Sequence, residues 1–258
     1  DARRYAEWGV DYLKYDWCSY QPELESQRGQ PVDVAAIKKF WGHKPPGRRE
    51  QLMHPFAVMR AALDRQPRDI VYSLCQYGMG NVSEWGAKVG GDCWRTTGDI
   101  VDTWASMSTI GFGQAGREIH AGPGAWNDPD MLVVGHVGWG PALRPSRLTP
   151  NEQYTHMTLW CVLAAPLLIG CDLTRLDDFT LGLLTNDEVI EVNQDPLGRQ
   201  ARPVWRDGKR EVWSKMMEDG SRAVGLFNRG GVEVEVPVNW LSLDFAGSAR
   251  VRDLWRQR

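Results

Sequence analysis

The 258-residue sequence has no run of 18 apolar residues, so nothing in it reads as a membrane-spanning helix. It has no dense basic stripe, and its net charge of −3 argues against a nucleic-acid surface; RPSR at 144–147 is too small to change that. Cysteine is scarce. The five are Cys18, Cys75, Cys93, Cys161 and Cys171, and no two stand at CxxC spacing, which weakens zinc and thioredoxin-type readings. Cys161 lies in a strongly apolar stretch and Cys171 just beyond one, so both read as small hydrophobes. Cys75 and Cys93 fall near strand ends and could pair. No Met and no leader stand at the start. The sequence opens inside a repeating helix–strand pattern, and reads as a stretch of a longer chain.

What is present is ordinary for a soluble globular chain, with 42% hydrophobic and 24% charged residues, enough for one large domain with or without a small one. Tryptophan is the exception. Thirteen Trp is a high count, and their flat apolar faces suit the C–H faces of sugars, although any one Trp is more often a core residue.

Along the chain, residues 2–8 predict a short helix ended by Gly9, and VDYLKYD at 10–16 a strand. Residues 19–54 read as a long polar insertion after that strand. PFAVMRAALDR (55–65) predicts a helix with Pro55 near its start. Strands are predicted at 69–75, 93–99, within 122–135 and at 166–172, and helices at 82–90, 99–112, 151–165 and 184–195; Thr149 or Asn151 caps the helix at 151. This alternation predicts βα units and a parallel sheet. From about residue 201 the pattern changes to period-two runs broken by EDGS and RGG, which predict antiparallel hairpins. The expected organisation is α/β: a partial (β/α)8 barrel over 1–200, then a small, incomplete antiparallel β domain over 201–258.

Two of the predicted strands end in carboxylates, Asp16 and Asp99. Paired carboxylates at strand ends are the equipment of glycoside hydrolysis. A lone Asp there is more often a turn or cap residue; Asp99 could cap the helix that follows it, and Asp128 could brace the NDPD turn. A metal set of Asp102, Asp128 and Asp130 is a weaker alternative, and Asn81-Val82-Ser83 is a glycosylation sequon of a kind common by chance.

Four stretches in order, YLKYDWC (12–18), WRTTGDI (94–100), GPGAWNDPDML (122–132) and EVNQDPLG (191–198), carry a likeness running from residue 1 to about 230. By these motifs the chain resembles glycoside hydrolase family 27 of clan D, the α-galactosidase and α-N-acetylgalactosaminidase family. The resemblance implies a (β/α)8 barrel followed by an antiparallel β domain, with this sequence beginning at the helix before strand 4. It also implies Asp16 as nucleophile and Asp99 as acid/base. Lys14 and Arg95 are then expected to bind sugar hydroxyls, and Asp130 to lie near the acid/base and the C2 substituent. Cys75 and Gln76 would sit where the family reads that substituent. Here the chain has CQYG where many α-galactosidases have CEW, which leaves its preference at C2 open.

The implied reaction is a retaining double displacement on a terminal α-linked galactose of an oligo- or polysaccharide, with no cofactor and no metal. It needs two carboxyls about 5–5.5 Å apart, the nucleophile ionised and the acid/base protonated at rest. Lys14 and Arg95 favour ionised neighbours, and negative Asp16 and Asp130 favour a proton on Asp99. The alternatives are a β-L-arabinopyranosidase of the same family, an α-N-acetylgalactosaminidase disfavoured by the bulk of Gln76 and Tyr77, and a non-catalytic carbohydrate-binding barrel. The family favours a secreted, periplasmic or lysosome-like compartment. Five strands do not close an eight-strand barrel, so this stretch alone is expected to be inactive.

Overall fold

A computed structural model describes residues 1–17, 48–138 and 142–258. The chain divides into two compact units, Asp1–Thr96 and Thr97–Arg258. The insertion read at 19–54 lies mostly outside the described residues, as does Cys18.

The first unit contains α1 (Ala2–Glu7), β1 (Tyr12–Asp16), α2 (Arg48–Leu63), β2 (Val71–Cys75) and β3 (Cys93–Arg95). Gly9, at φ +78°, ends the first helical segment as read. The three strands run parallel. Tyr12, Lys14 and Asp16 lie beside Val71, Ser73 and Cys75, and Ser73 lies beside Cys93. Because side chains alternate along a strand, one face of this sheet carries Lys14, Asp16, Ser73, Cys75, Cys93 and Arg95. The other carries Leu13, Tyr15, Tyr72, Leu74 and Trp94, and it builds the core. Phe56 of α2 meets Tyr15 edge-on at 5.8 Å and stacks on Trp17 at 5.8 Å. Trp94 is fully buried against Gly86, where a Cβ would come within 2.4 Å of the indole, so only glycine fits.

Helix α2 starts earlier than its sequence suggests and holds Pro55 in its interior. Burial of Phe56, Met59 and Leu63 on one side offsets the backbone bond that proline removes. The expected helix at 82–90 is two short 3₁₀ turns, Val82–Glu84 and Gly86–Val89.

The second unit contains α3 (Trp104–Phe112), β4 (Trp126–Asp128), β5 (His136–Val137), β6 (Arg144–Pro145), α4 (Pro150–Val162), α5 (Asp178–Leu184), α6 (Asp187–Gln194), β7 (Arg202–Asp207), β8 (Arg210–Met216) and β9 (Arg222–Asn228). A capping box starts α4: Glu152 donates its amide to Thr149 Oγ1 at 3.4 Å, and the Thr149 amide donates to Glu152 Oε2 at 2.7 Å. That settles the choice between Thr149 and Asn151. Helix α3 begins at Trp104 rather than 99, with Thr103 as its cap, accepting from the Ser106 amide. Asp99 therefore does not cap it.

Strands β7, β8 and β9 form an antiparallel sheet as read, and Phe112 of α3 packs edge-on against Trp213 at 6.0 Å and Phe227 at 5.2 Å. Not every expected strand forms in full: the one read at 93–99 stops at Arg95, which leaves Asp99 in the loop beyond the strand and not at its end. Residues 166–172 make a single parallel bridge, Leu132 to Ile169, where the Leu132 amide donates to the Leu168 carbonyl and its carbonyl accepts from the Gly170 amide. Residues 232–238 (VEVEVPV) alternate perfectly but pair with no strand among the described residues. Val232 is exposed, and its carbonyl accepts from the Asn228 side chain at 2.7 Å. Among the described residues no helix is long and apolar enough to cross a membrane.

Candidate active site

Parallel strands bring their C-terminal ends to one edge, and in barrels of βα units that edge carries the chemistry. In the first unit this edge holds Asp16, Cys75 and Arg95. Asp16 is exposed at the last position of β1. Its Oδ1 accepts from the Trp17 amide at 2.7 Å and from the Tyr77 hydroxyl at 2.8 Å. Partial burial pushes the carboxyl up. The bonds from Tyr77, Trp17 and Cys75, with the charge of Lys14, outweigh that and hold it below its ordinary value. Lys14 shares the face of Asp16 two residues earlier.

Cys75 lies directly beside Asp16 in the sheet. Burial pushes its thiol up to about 12, against the pull of Lys14 and Arg95. It is therefore a protonated donor to the carboxylate. Arg95 is buried, with Nη1 3.9 Å from Cys75 Sγ and its guanidinium 5.8 Å from the Tyr77 ring centre. Lys14, Asp16, Cys75 and Arg95 are thus brought onto one face of the sheet.

Gln76 behaves differently. It is fully buried, and its Nε2 donates to the Arg95 carbonyl at 3.2 Å, where the Gly78 amide also donates at 3.1 Å. The amide fastens the ends of β2 and β3 together. The disulfide between Cys75 and Cys93 is not made; both are buried thiols. Ser73, not Cys75, is the neighbour of Cys93, so the two cysteines sit two residues out of register on adjacent strands, too far apart for a bridge.

In the second unit, Asp99 is exposed in the loop after Thr96. Asp130 is buried at φ +86°, its amide donating to Asp128 Oδ1 at 2.8 Å and its carbonyl accepting from Trp160 Nε1 at 2.7 Å. Its carboxylate accepts from the amides of Ile100 at 2.9 Å and Met131 at 2.8 Å. The bond to Ile100 fixes the backbone immediately after Asp99, so Asp130 braces the loop of the expected acid/base. Asp102 is bound by Arg144 and Arg147, and the described residues contain no cluster of His, Cys, Asp and Glu suited to a metal.

Tyr77 was not singled out as a site residue from sequence. QYGMGN signals a turn, but not that left-handed backbone at Tyr77 and Asn81 would bring the phenol to Asp16.

The architecture is that of part of a (β/α)8 barrel followed by an antiparallel β domain. Residues 37–195 match the family model described as alpha galactosidase A, and 207–258 match its C-terminal beta sandwich domain. The chain belongs to the α-galactosidase family, glycoside hydrolase family 27. It is similar to alpha-galactosidase 3 of Arabidopsis thaliana, at 38% identity over 100% of this chain and 52% of the relative. It is similar to an alpha-galactosidase of Oryza sativa subsp. japonica, at 37% identity over 99% of this chain and 53% of the relative. Among solved structures it resembles a family 27 β-L-arabinopyranosidase of Geobacillus stearothermophilus, with a TM-score of 0.78 and 31% identity over 99% of this chain and 54% of that one. The chain thus spans about half the length of the curated relatives it matches.

Proposed function

We propose that the full-length protein carrying this sequence is a retaining exo-glycoside hydrolase that releases terminal α-linked galactose. The observation that carries this reading is the Asp16 carboxylate at a strand end, accepting from Tyr77 and the Trp17 amide and held ionised. In the first step Asp16 attacks the anomeric carbon while Asp99 gives its proton to the departing glycosidic oxygen. The resulting ester removes the charge on Asp16. Asp99, now a carboxylate, takes a proton from water, and the water oxygen displaces Asp16 with net retention. Lys14 and Arg95 bind sugar hydroxyls, Cys75 braces the nucleophile, and Asp130 braces Asp99. The barrel limits 1–200 and β-domain limits 201–258 belong to the same proposal.

A second reading, β-L-arabinopyranoside hydrolysis, is supported by the likeness to the Geobacillus enzyme. Assays on nitrophenyl α-galactoside and nitrophenyl β-L-arabinopyranoside separate the two by their kcat/KM ratio. Proton NMR of the first-formed sugar tests retention; an inverted product would remove the double displacement. Asp16→Ala is expected to be inactive, and azide is expected to restore turnover as the inverted glycosyl azide. Turnover without azide would show that Asp16 is not the nucleophile.

A further inference from the structure

Among the described residues, Tyr77 places the polar end of an aromatic side chain on the proposed nucleophile. Its backbone is left-handed at φ +59°, a conformation that residues with side chains rarely adopt. The turn is held by the Met79 amide on the Gln76 carbonyl at 3.2 Å and by the two donors that Gln76 and Gly78 place on the Arg95 carbonyl. Backbone strain of this kind persists where surrounding bonds enforce it, and it clusters at functional positions. What it achieves here is to turn the phenol toward the strand end, so that its hydroxyl lies 2.8 Å from Asp16 Oδ1.

Resting on the assignment of Asp16 as nucleophile, we propose that Tyr77 is a positioning residue that orients this carboxylate and keeps it ionised by donating its hydroxyl hydrogen to Oδ1. In the first unit, the groups facing Asp16 are Lys14 on its own strand, the Trp17 amide, and Cys75 and Tyr77 from β2 and the turn after it. Arg95 of β3 acts on Cys75. Burial alone opposes ionisation; each of these donors and charges favours it. The balance makes Tyr77 the largest single favourable contributor among them. During the reaction its bond is strongest when Asp16 carries full charge, before attack and again as the carboxylate leaves the sugar.

The test is the pH profile of kcat/KM on nitrophenyl α-galactoside for the full-length protein and for Tyr77→Phe, which deletes the hydroxyl and keeps the ring against Arg95. A hydrogen bond to a charged, solvent-exposed group predicts an upward shift of the acid limb by about half to one pH unit. Tyr77→Trp, aromatic without the phenol, is expected to show the same shift. Circular dichroism melts confirm that both variants fold. An unmoved acid limb in both folded variants, with Asp16→Ala inactive, would overturn the positioning role and leave the proposed function standing. An active Asp16→Ala would remove both.

Discussion

Asp16 and Asp102 are both acidic side chains held below their ordinary pKa, yet they are built in opposite ways. Asp102 is buried, and two arginines enclose both its oxygens. Arg144 donates at 2.5 and 3.0 Å, and Arg147 at 2.8 Å from its backbone and at 2.8 and 3.2 Å from its guanidinium. Asp16 is exposed and is held by neutral donors, the Trp17 amide and the Tyr77 hydroxyl on Oδ1 and the Cys75 thiol, with a lysine nearby. Guanidinium forks fix a carboxylate and spend its charge. Neutral donors keep it ionised and leave its charge available to an electrophile. A low carboxylate pKa is thus common to structural and reactive groups, and the identity of the donors is what distinguishes them. Asp99 and Asp102 repeat the contrast three residues apart, one exposed and one enclosed.

The largest expected effect breaks this comparison at Asp16. Asp16→Ala should lower kcat by about 10⁴-fold or more, as removal of a nucleophile does. Its stability in urea should change by no more than about 0.5 kcal/mol, because the side chain is exposed. Asp102→Ala should do the reverse, lowering Tm by about 3–6 °C while kcat falls little; the half-exposed partners keep the loss below that of a fully buried pair. The pH sign follows from the depressed pKa of Asp102: its stabilisation is present above about pH 4 and is lost as pH falls further. If Asp102→Ala abolished kcat without lowering Tm, the structural reading of that pair would be wrong.

The same contrast extends to a base. His156 is fully buried, accepts the Val133 amide on Nε2 at 3.1 Å, and meets the Trp160 ring edge-on at 4.1 Å. Burial pushes its pKa down from 6.5 to about 3. A histidine kept neutral in the fold but protonated in the unfolded chain stabilises fully above pH 6.5 and loses that contribution as pH falls. Between pH 7 and 5 this amounts to about 1–2 kcal/mol. Urea denaturation at both pH values should show the loss, and His156→Gln should flatten it. An equal slope in the variant would assign the acid sensitivity elsewhere.

The features legible in the sequence were those that local pattern determines. The strand read at 10–16 forms at Tyr12–Asp16, and the helix read at 151–165 at Pro150–Val162, because apolar spacing and a capping box specify them residue by residue. Strand alternation also puts Lys14 on the face of Asp16, while the register of β1, β2 and β3 adds Cys75 and Arg95 to it. What failed depended on partners. VEVEVPV and PLLIGCD have strand-like sequences, but period two expresses a capacity to pair and not the presence of a neighbour. Helix α5 was missed because Gly182 interrupts its pattern, while the Asp177 cap on the Thr180 amide at 2.7 Å starts it. Tyr77 was missed as a site residue because its reach is set by a left-handed turn.

The smallest expected effect concerns the thiols, and it sharpens the comparison by removing covalent cross-linking from it. Cys75, Cys93 and Cys161 are buried thiols, and burial pushes those of Cys75 and Cys161 up to about 12. The thiolate is the reactive form, so at pH 8 these two side chains present almost none of it. Iodoacetamide should therefore leave Cys75, Cys93 and Cys161 unmodified in the native protein and label them only after denaturation, as peptide mass spectrometry would read. Dithiothreitol should leave Tm unchanged, since no bond between Cys75 and Cys93 exists to reduce. A drop of several degrees, the size expected from losing a disulfide of about 2–4 kcal/mol, would mean that these cysteines are joined. The strands β2 and β3 would then have to slip from the register that sets Ser73 beside Cys93, and a bridged Cys75 would have no thiol hydrogen left to donate to the nucleophile.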